Sequence, residues 1–213
     1  MLALVGLGGL AAPAAAAPAP TAAPAPTAQR CVDDALAELA KVEAMTLRFE
    51  ESKTMALLAV PLENSGRLVY LRPRALARFV DEPVHSELRL EGSQLRLSEG
   101  GKTREIDVGT RPELRVLVDL FVSVLAGDRK ALDAQTQSEV SCEGKAWKVR
   151  LVPKDPKVAR LISWLEVEGE GRVVRGMHYR DGNGDETKAS FHDVRFEAAP
   201  SAARREALLS GAW

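Results

Sequence analysis

Three histidines, two cysteines and a cluster of aspartates are the side chains most able to do chemistry in this sequence of 213 residues. His85, His178 and His192 share no metal-ligand spacing and read as surface or turn histidines. Asp181, Asn183 and Asp185 superficially suggest a calcium loop. An EF-hand needs Gly at its sixth position and Glu at its twelfth, and Glu186 and His192 stand there instead. The string DGNGD is therefore read as an Asn-Gly hairpin turn. No G-x-S-x-G nucleophile elbow occurs, which disfavours an esterase. Gly6 to Gly9 belong to an apolar leader rather than to a phosphate loop. Neither cysteine has a C-x-x-C partner, so redox catalysis has no support. The reading is of a protein that is not an enzyme and holds no metal and no cofactor.

The compartment follows from the first residues. MLALVGLGGL is an apolar run followed by AAPAAAA, the pattern of an export signal and its small-residue cleavage site, although no Lys or Arg precedes it. The run is too short to span a bilayer. We read 1–17 as a signal peptide, 18–30 as an Ala/Pro-rich linker, 31–197 as the folded domain and 198–213 as a C-terminal tail holding a loose helix. The expected location is the periplasm. There, Cys31 and Cys142 most simply form one disulfide, tying the first helix to a central strand. A lipidated Cys31 would need small and apolar residues before it, and Ala28-Gln29-Arg30 does not fit. The formal net charge of −1 argues against bulk nucleic-acid binding. Aromatics are only 5 % of the chain, so the interior must be built mainly from Leu and Val.

The elements follow from periodicity. Cys31 to Val42 repeats apolar residues at helical spacing, with Asp33 and Asp34 at the positive N-terminal end. Met45 to Glu51 alternates as a half-buried strand. Met55 to Leu62 is a second apolar run. Asn64-Ser65-Gly66 reads as a turn, and Arg67 to Leu71 as a strand. Ala75–Val80, Ser86–Leu90, Gln94–Leu97 and Thr103–Asp107 read as further strands, with turns at Gly92-Ser93 and Gly100-Gly101. Arg111 to Gly127 is the exception, an unusually apolar helix with Thr110 as expected N-cap and Gly127 as expected C-cap. Asp128 to Ala134 adds a turn of helix. Gln137–Cys142, Ala146–Val152, Leu161–Val167, Val173–Tyr179 and Thr187–Phe196 complete an antiparallel meander, apolar on one face and wet on the other. Without βαβ alternation, a doubly wound sheet is excluded.

This order, with four local strings, resembles the periplasmic outer-membrane lipoprotein carriers, the LolA-like family. The strings are the passage from the first helix into MTLRFEESK (45–53), SGRLVYLRPRALARF (65–79), the helix Pro112–Leu125, and DGNGDETKASFHDVRF (181–196). The second is similar to the family's G-x-L-x-x-x-R-P-x-x-x-R-[FW] segment, with one extra residue before Arg78. The resemblance implies a mainly β fold with α, a half-open curved antiparallel barrel closed by lid helices over a cavity that takes acyl chains. It implies a lining of Leu47, Phe49, Leu68, Tyr70, Leu88, Leu90, Leu95, Leu97, Trp164 and Met177, under a lid carrying Leu114, Leu117, Val118, Phe121 and Leu125. Taken one at a time, each of these also fits an ordinary filled core. Arg72 matches the arginine that latches the lid through helix carbonyls; the competing reading for Arg72 and Arg78 is a solvated charge at a strand edge. Implied partners are a lipoprotein or other lipid cargo, an inner-membrane exporter and an outer-membrane acceptor, with the carrier a monomer. The alternative function is a lipid-sensing or regulatory module on the same fold, without transport.

Overall fold

The computed structural model describes residues 26–213; the expected signal peptide (1–17) and most of the linker lie outside the described residues. Among the described residues eleven strands form one antiparallel sheet, accompanied by five helices. The first helix, α1, spans Pro26–Leu39. It begins five residues before Cys31, inside the stretch read as linker, and stops three residues before Val42. Strands β1 (Ala44–Thr54), β2 (Leu62–Leu71), β3 (Ala75–Glu82), β4 (Ser86–Glu91), β5 (Gln94–Glu99) and β6 (Lys102–Asp107) follow as a meander. After a 3₁₀ turn, Val108–Thr110, come the helices α2 (Pro112–Ala126) and α3 (Arg129–Gln135). A second meander holds β7 (Thr136–Glu143), β8 (Ala146–Pro153), the short α4 (Pro156–Ala159), β9 (Ile162–Glu170), β10 (Val173–Asp181) and β11 (Glu186–Glu197). Helix α5 (Ala202–Leu209) ends the chain.

The spatial order is β6-β5-β4-β3-β2-β1-β11-β10-β9-β8-β7. First and last strands pair at the middle, so the two free edges are β6 and β7. The chain between those edges is the helical segment α2–α3, which therefore bridges the opening of an unclosed barrel. Thr110 falls in the 3₁₀ turn, and Arg111 caps α2 by backbone conformation without a side-chain bond. Gly127 caps its C-terminus as expected, with a left-handed φ of 64°.

Three expectations change. Asn64-Ser65-Gly66 is not a turn: it lies inside β2, with Ser65 opposite Glu50 and Gly66 opposite Phe49. The reversal is instead at 55–61, beyond the end of β1. Gly66 is there because the Phe49 ring covers it, and a Cβ would sit 2.9 Å from Phe49 Cζ. Cys142 does bond to Cys31, with a Cα–Cα distance of 6.4 Å, but β7 is an edge strand rather than a central one. Finally, residues 198–213 are not a loose tail. Leu208 and Leu209 of α5 bury against Val69, Leu71, Ala75, Ala77 and Phe79 on the outer face of β2 and β3. That face is apolar too, which explains why 68–71 reads LVYL without alternation.

Candidate functional site

The main core lies on the inner face of the sheet, under α1 and α2. Burial is uneven along α2. Val122, Val124, Leu125 and Ala126 are buried, whereas Leu114, Leu117, Val118 and Phe121 are only half-buried although apolar. The first turn of α2 lies near α4, with Lys157 Nζ 3.6 Å from Glu113 Oε1. Its last turn meets α1, where Gly127 packs on the backbone at Leu36 and Ala40. The helix is thus packed solidly at its C-terminal end and stands off the sheet at its N-terminal end.

Beneath the raised half is a cavity of about 420 Å³, within the ~300–1,000 Å³ common for small-molecule sites. From the sheet it is lined by Phe49, Leu68, Leu76, Leu88, Leu90, Leu95, Val167, Val174, Met177, Tyr179, Ala189 and Phe191. From α2 it is lined by Leu114, Leu117, Val118, Phe121, Val122, Val124 and Leu125. Phe121 and Tyr179 meet edge to face across it, ring centroids 5.9 Å apart. Two charged residues, Glu51 and Arg78, complete the wall.

Eleven of the fifteen residues named from sequence as a lining come together here: Phe49, Leu68, Leu88, Leu90, Leu95, Leu114, Leu117, Val118, Phe121, Leu125 and Met177. Four do not. Leu47 and Tyr70 are fully buried in the filled core beside α1. Leu97 is half-buried and packs on the edge of that core. Trp164 points to the opposite face. Leu165 and Val167 of β9 are buried on the inner face, so alternation turns Trp164, between Ser163 and Leu165, outward, where Arg150 stacks over it at 4.0 Å and His178 meets it edge-on at 4.6 Å.

Two arginines of the β2–β3 turn hold α2 in place. Arg72 Nε donates to Val42 O at 3.1 Å, and Arg72 Nη2 donates to Ala126 O, in the last turn of α2, at 2.9 Å. A guanidinium suits this place because its fixed fork reaches two carbonyls and its charge complements the helix C-terminus. Arg74 was not singled out from sequence. It donates through Nε to Gly92 O at 2.8 Å and pairs through Nη1 with Asp119 on α2. The signal was present, since R-P-R offers two guanidiniums within three residues of a turn. Tyr70 lies close by with its hydroxyl buried and without a hydrogen-bond partner among the described residues, and burial pushes its phenol above the usual range against a lowering influence from Arg72.

The end of the sheet away from Arg72 is different. Leu57 (92 % exposed), Leu58 and Val60 belong to the β1–β2 connection, Leu62 begins β2, and Val84, Val152 and Leu161 are also exposed. By strand register all seven lie at this one end, next to Thr54, Glu82, Pro153 and Ile162. The Asp181 string is also here. Asp181 Oδ1 accepts from the backbone N–H groups of Asn183 and Asp185, and Lys53 Nζ lies 3.7 and 3.6 Å from Asp181 and Asp185. An ammonium group therefore occupies the place a cation would take. Among the described residues, no group of three His, Cys, Asp or Glu gathers as a metal site, and no helix is long and apolar enough to cross a membrane.

A family model described as outer membrane lipoprotein carrier protein LolA-like matches residues 22–209. No curated protein sequence matches significantly. Among solved structures, a LolA superfamily protein from Nitrosomonas europaea is similar at 9 % identity and a TM-score of 0.43, covering 81 % of this chain and 94 % of that one. A putative outer membrane lipoprotein-sorting protein domain from Vibrio parahaemolyticus is similar at 11 % identity and a TM-score of 0.45, covering 85 % and 99 %. The MucA/MucB complex of Pseudomonas aeruginosa gives 12 % identity and a TM-score of 0.47, covering 82 % of this chain and 59 % of that one.

Proposed function

The chain belongs to the outer membrane lipoprotein carrier protein LolA-like family, and from that premise we propose that it is a non-enzymatic periplasmic carrier that shields acyl chains in the cavity under α2. The observation that carries the reading is the half-buried apolar row Leu114, Leu117, Val118 and Phe121, held off the sheet above an apolar hollow. Each methylene left in water costs about 0.8 kcal/mol, so a carrier must offer apolar surface without filling it with its own side chains. The exposed apolar rim at the β1–β2 end supports delivery at a membrane or at an apolar acceptor. In this reading cargo comes from an inner-membrane exporter and passes to an outer-membrane acceptor.

The test is native mass spectrometry with lipid extraction on protein exported to the periplasm. Acylated mass is expected to co-purify, and to be lost when Leu117 and Phe121 become Asp. A clean apo mass that persists when acylated peptides and lipids are offered would sink the carrier reading.

A further inference from the structure

Along the cavity the inner faces of β1 and β3 are apolar except at one place; farther on, at the end of β1, Lys53 pairs with Asp181 and Asp185. On β3 the inward positions run Leu76, Arg78, Val80, and on β1 they run Leu47, Phe49, Glu51. Arg78 Nη2 donates to Glu51 Oε1 at 2.9 Å, and its guanidinium lies 4.5 Å from the centre of the Phe49 ring. Glu51 Oε1 also accepts from Asn64 Nδ2 at 3.1 Å. The two side chains are only 16 % and 27 % exposed, Glu51 the more buried.

A charged pair at such a position is weak evidence of stabilisation, because desolvation offsets the attraction and two apolar residues would serve as well. Departures from the local pattern are where functional sites are expected. The pair has an unused capacity. Arginine has five N–H donors, and only the bond to Glu51 uses one of them among the described residues. Glu51 already balances the charge. A phosphate or carboxylate arriving here would meet Glu51 as well as Arg78. A neutral carbonyl oxygen can accept from the remaining N–H groups without disturbing the pair.

We propose that Glu51 and Arg78 form a polar subsite in the cavity wall that binds the carbonyl oxygen of a fatty acyl ester or amide, and so sets the depth to which the acyl chain enters. This rests on the carrier reading above. Glu51 is the positioning residue: it fixes the guanidinium against Phe49 and tunes the site for neutral acceptors over anions.

The experiment is displacement of a fluorescent alkyl reporter by 1-palmitoylglycerol, by a neutral N-palmitoyl dipeptide amide and by palmitate, with wild type, Arg78→Met, Glu51→Gln and the double variant. Wild type is expected to prefer the two neutral carbonyl probes. Arg78→Met should weaken one or both of them by about tenfold, as for a lost hydrogen bond to a charged group, while still binding the reporter. Glu51→Gln uncovers the guanidinium and should reverse the preference toward palmitate. Weakening of the ester probe alone identifies a glycerolipid source, and weakening of the amide probe identifies an acylated protein terminus. The double variant removes both charges and guards against a folding defect. Equal probe affinities in all four proteins, with the reporter still bound, would overturn the subsite and leave the carrier reading standing. Failure of wild type to bind the reporter at all would overturn both.

Discussion

Replacing Arg72 by Met removes the two guanidinium bonds that tie the β2–β3 turn to the end of α2 and to the α1–β1 connection, while keeping an unbranched stem in the same space. The bonds to Val42 O and Ala126 O are short and join parts of the chain far apart in sequence. A hydrogen bond to a charged group contributes about 1.5–3 kcal/mol. Arg72 is half-buried, so water can reach the freed carbonyls, and the net loss falls below the full sum of about 3–6 kcal/mol, at about 2–4 kcal/mol. For a chain of this size that lowers Tm by about 5–15 °C. Arg72→Lys keeps the charge near the helix C-terminus, worth about 0.3–1 kcal/mol, but not the fork, so it should fall between. The local readout is amide hydrogen exchange: protection in Phe121–Ala126 should drop in Arg72→Met well before that of the central strands. A normal Tm, or a lowered Tm with α2 still fully protected, would refute the idea that Arg72 latches this helix.

Other outcomes follow from other contacts. The Cys31–Cys142 bond closes a loop with a sequence separation of 111, so Cys31→Ser with Cys142→Ser should lose about 4–5 kcal/mol in denaturant unfolding on the chain-entropy model, and reductant should destabilise the parent to match. Gly66→Ala places a methyl group against the Phe79 carbonyl and the Phe49 ring, and should cost about 1–3 kcal/mol by overpacking in the same assay. Acid should loosen α5. The Arg204 guanidinium, bonded to Glu197 Oε1 at 2.6 Å, holds the Glu197 carboxyl below its usual range. A lowered carboxylate stabilises the folded state above its ordinary value, and that contribution is lost as pH falls through the lowered one. Tm of the parent should therefore converge on that of Glu197→Gln only in acid, below the ordinary carboxylate range, and a constant difference down to the acid limit would contradict this pairing.

The strands were legible because alternation is a local signal. Leu88 and Leu90 between charged residues, and Leu95 and Leu97 between polar ones, identify strand and face at once. What failed was non-local. Asn64-Ser65-Gly66 has good turn chemistry, yet pairing with β1 on one side and β3 on the other overrides it. Trp164 is in the lining that the family resemblance implies, yet Leu165 and Val167 occupy that face of β9. Leu47 and Tyr70 have the right parity but the wrong depth: the inner face is filled by the main core near them and hollow only farther along the strands. No pattern within one strand encodes that depth, since it depends on where α1 and α2 lie. Arg74 and the docking of α5 were missed for the same reason, because their partners Asp119 and Phe79 are distant in sequence.

The strand order itself explains why the hollow lies under α2. Pairing of β1 with β11 leaves β6 and β7 as edges, and the chain joining them has no route except across the opening. The helix that makes this crossing must be apolar toward the sheet, and its depth is then set by its anchors. Arg72 fixes its C-terminal end, Arg74 holds Asp119 at mid-helix, and the disulfide ties α1, against which α2 ends, to the β7 edge. Toward the N-terminal end the charged contact is the exposed pair Glu113–Lys157, at 3.6 Å, of a kind worth little in water, and Leu114, Val116 and Leu117 pack against the core only partly buried. An element fixed at one end and weakly held at the other opens about its fixed end. In the carrier reading proposed above, the end that opens is the one carrying the half-buried Leu114 and Leu117, over a cavity whose wall includes the Glu51–Arg78 pair, and a guest would enter there.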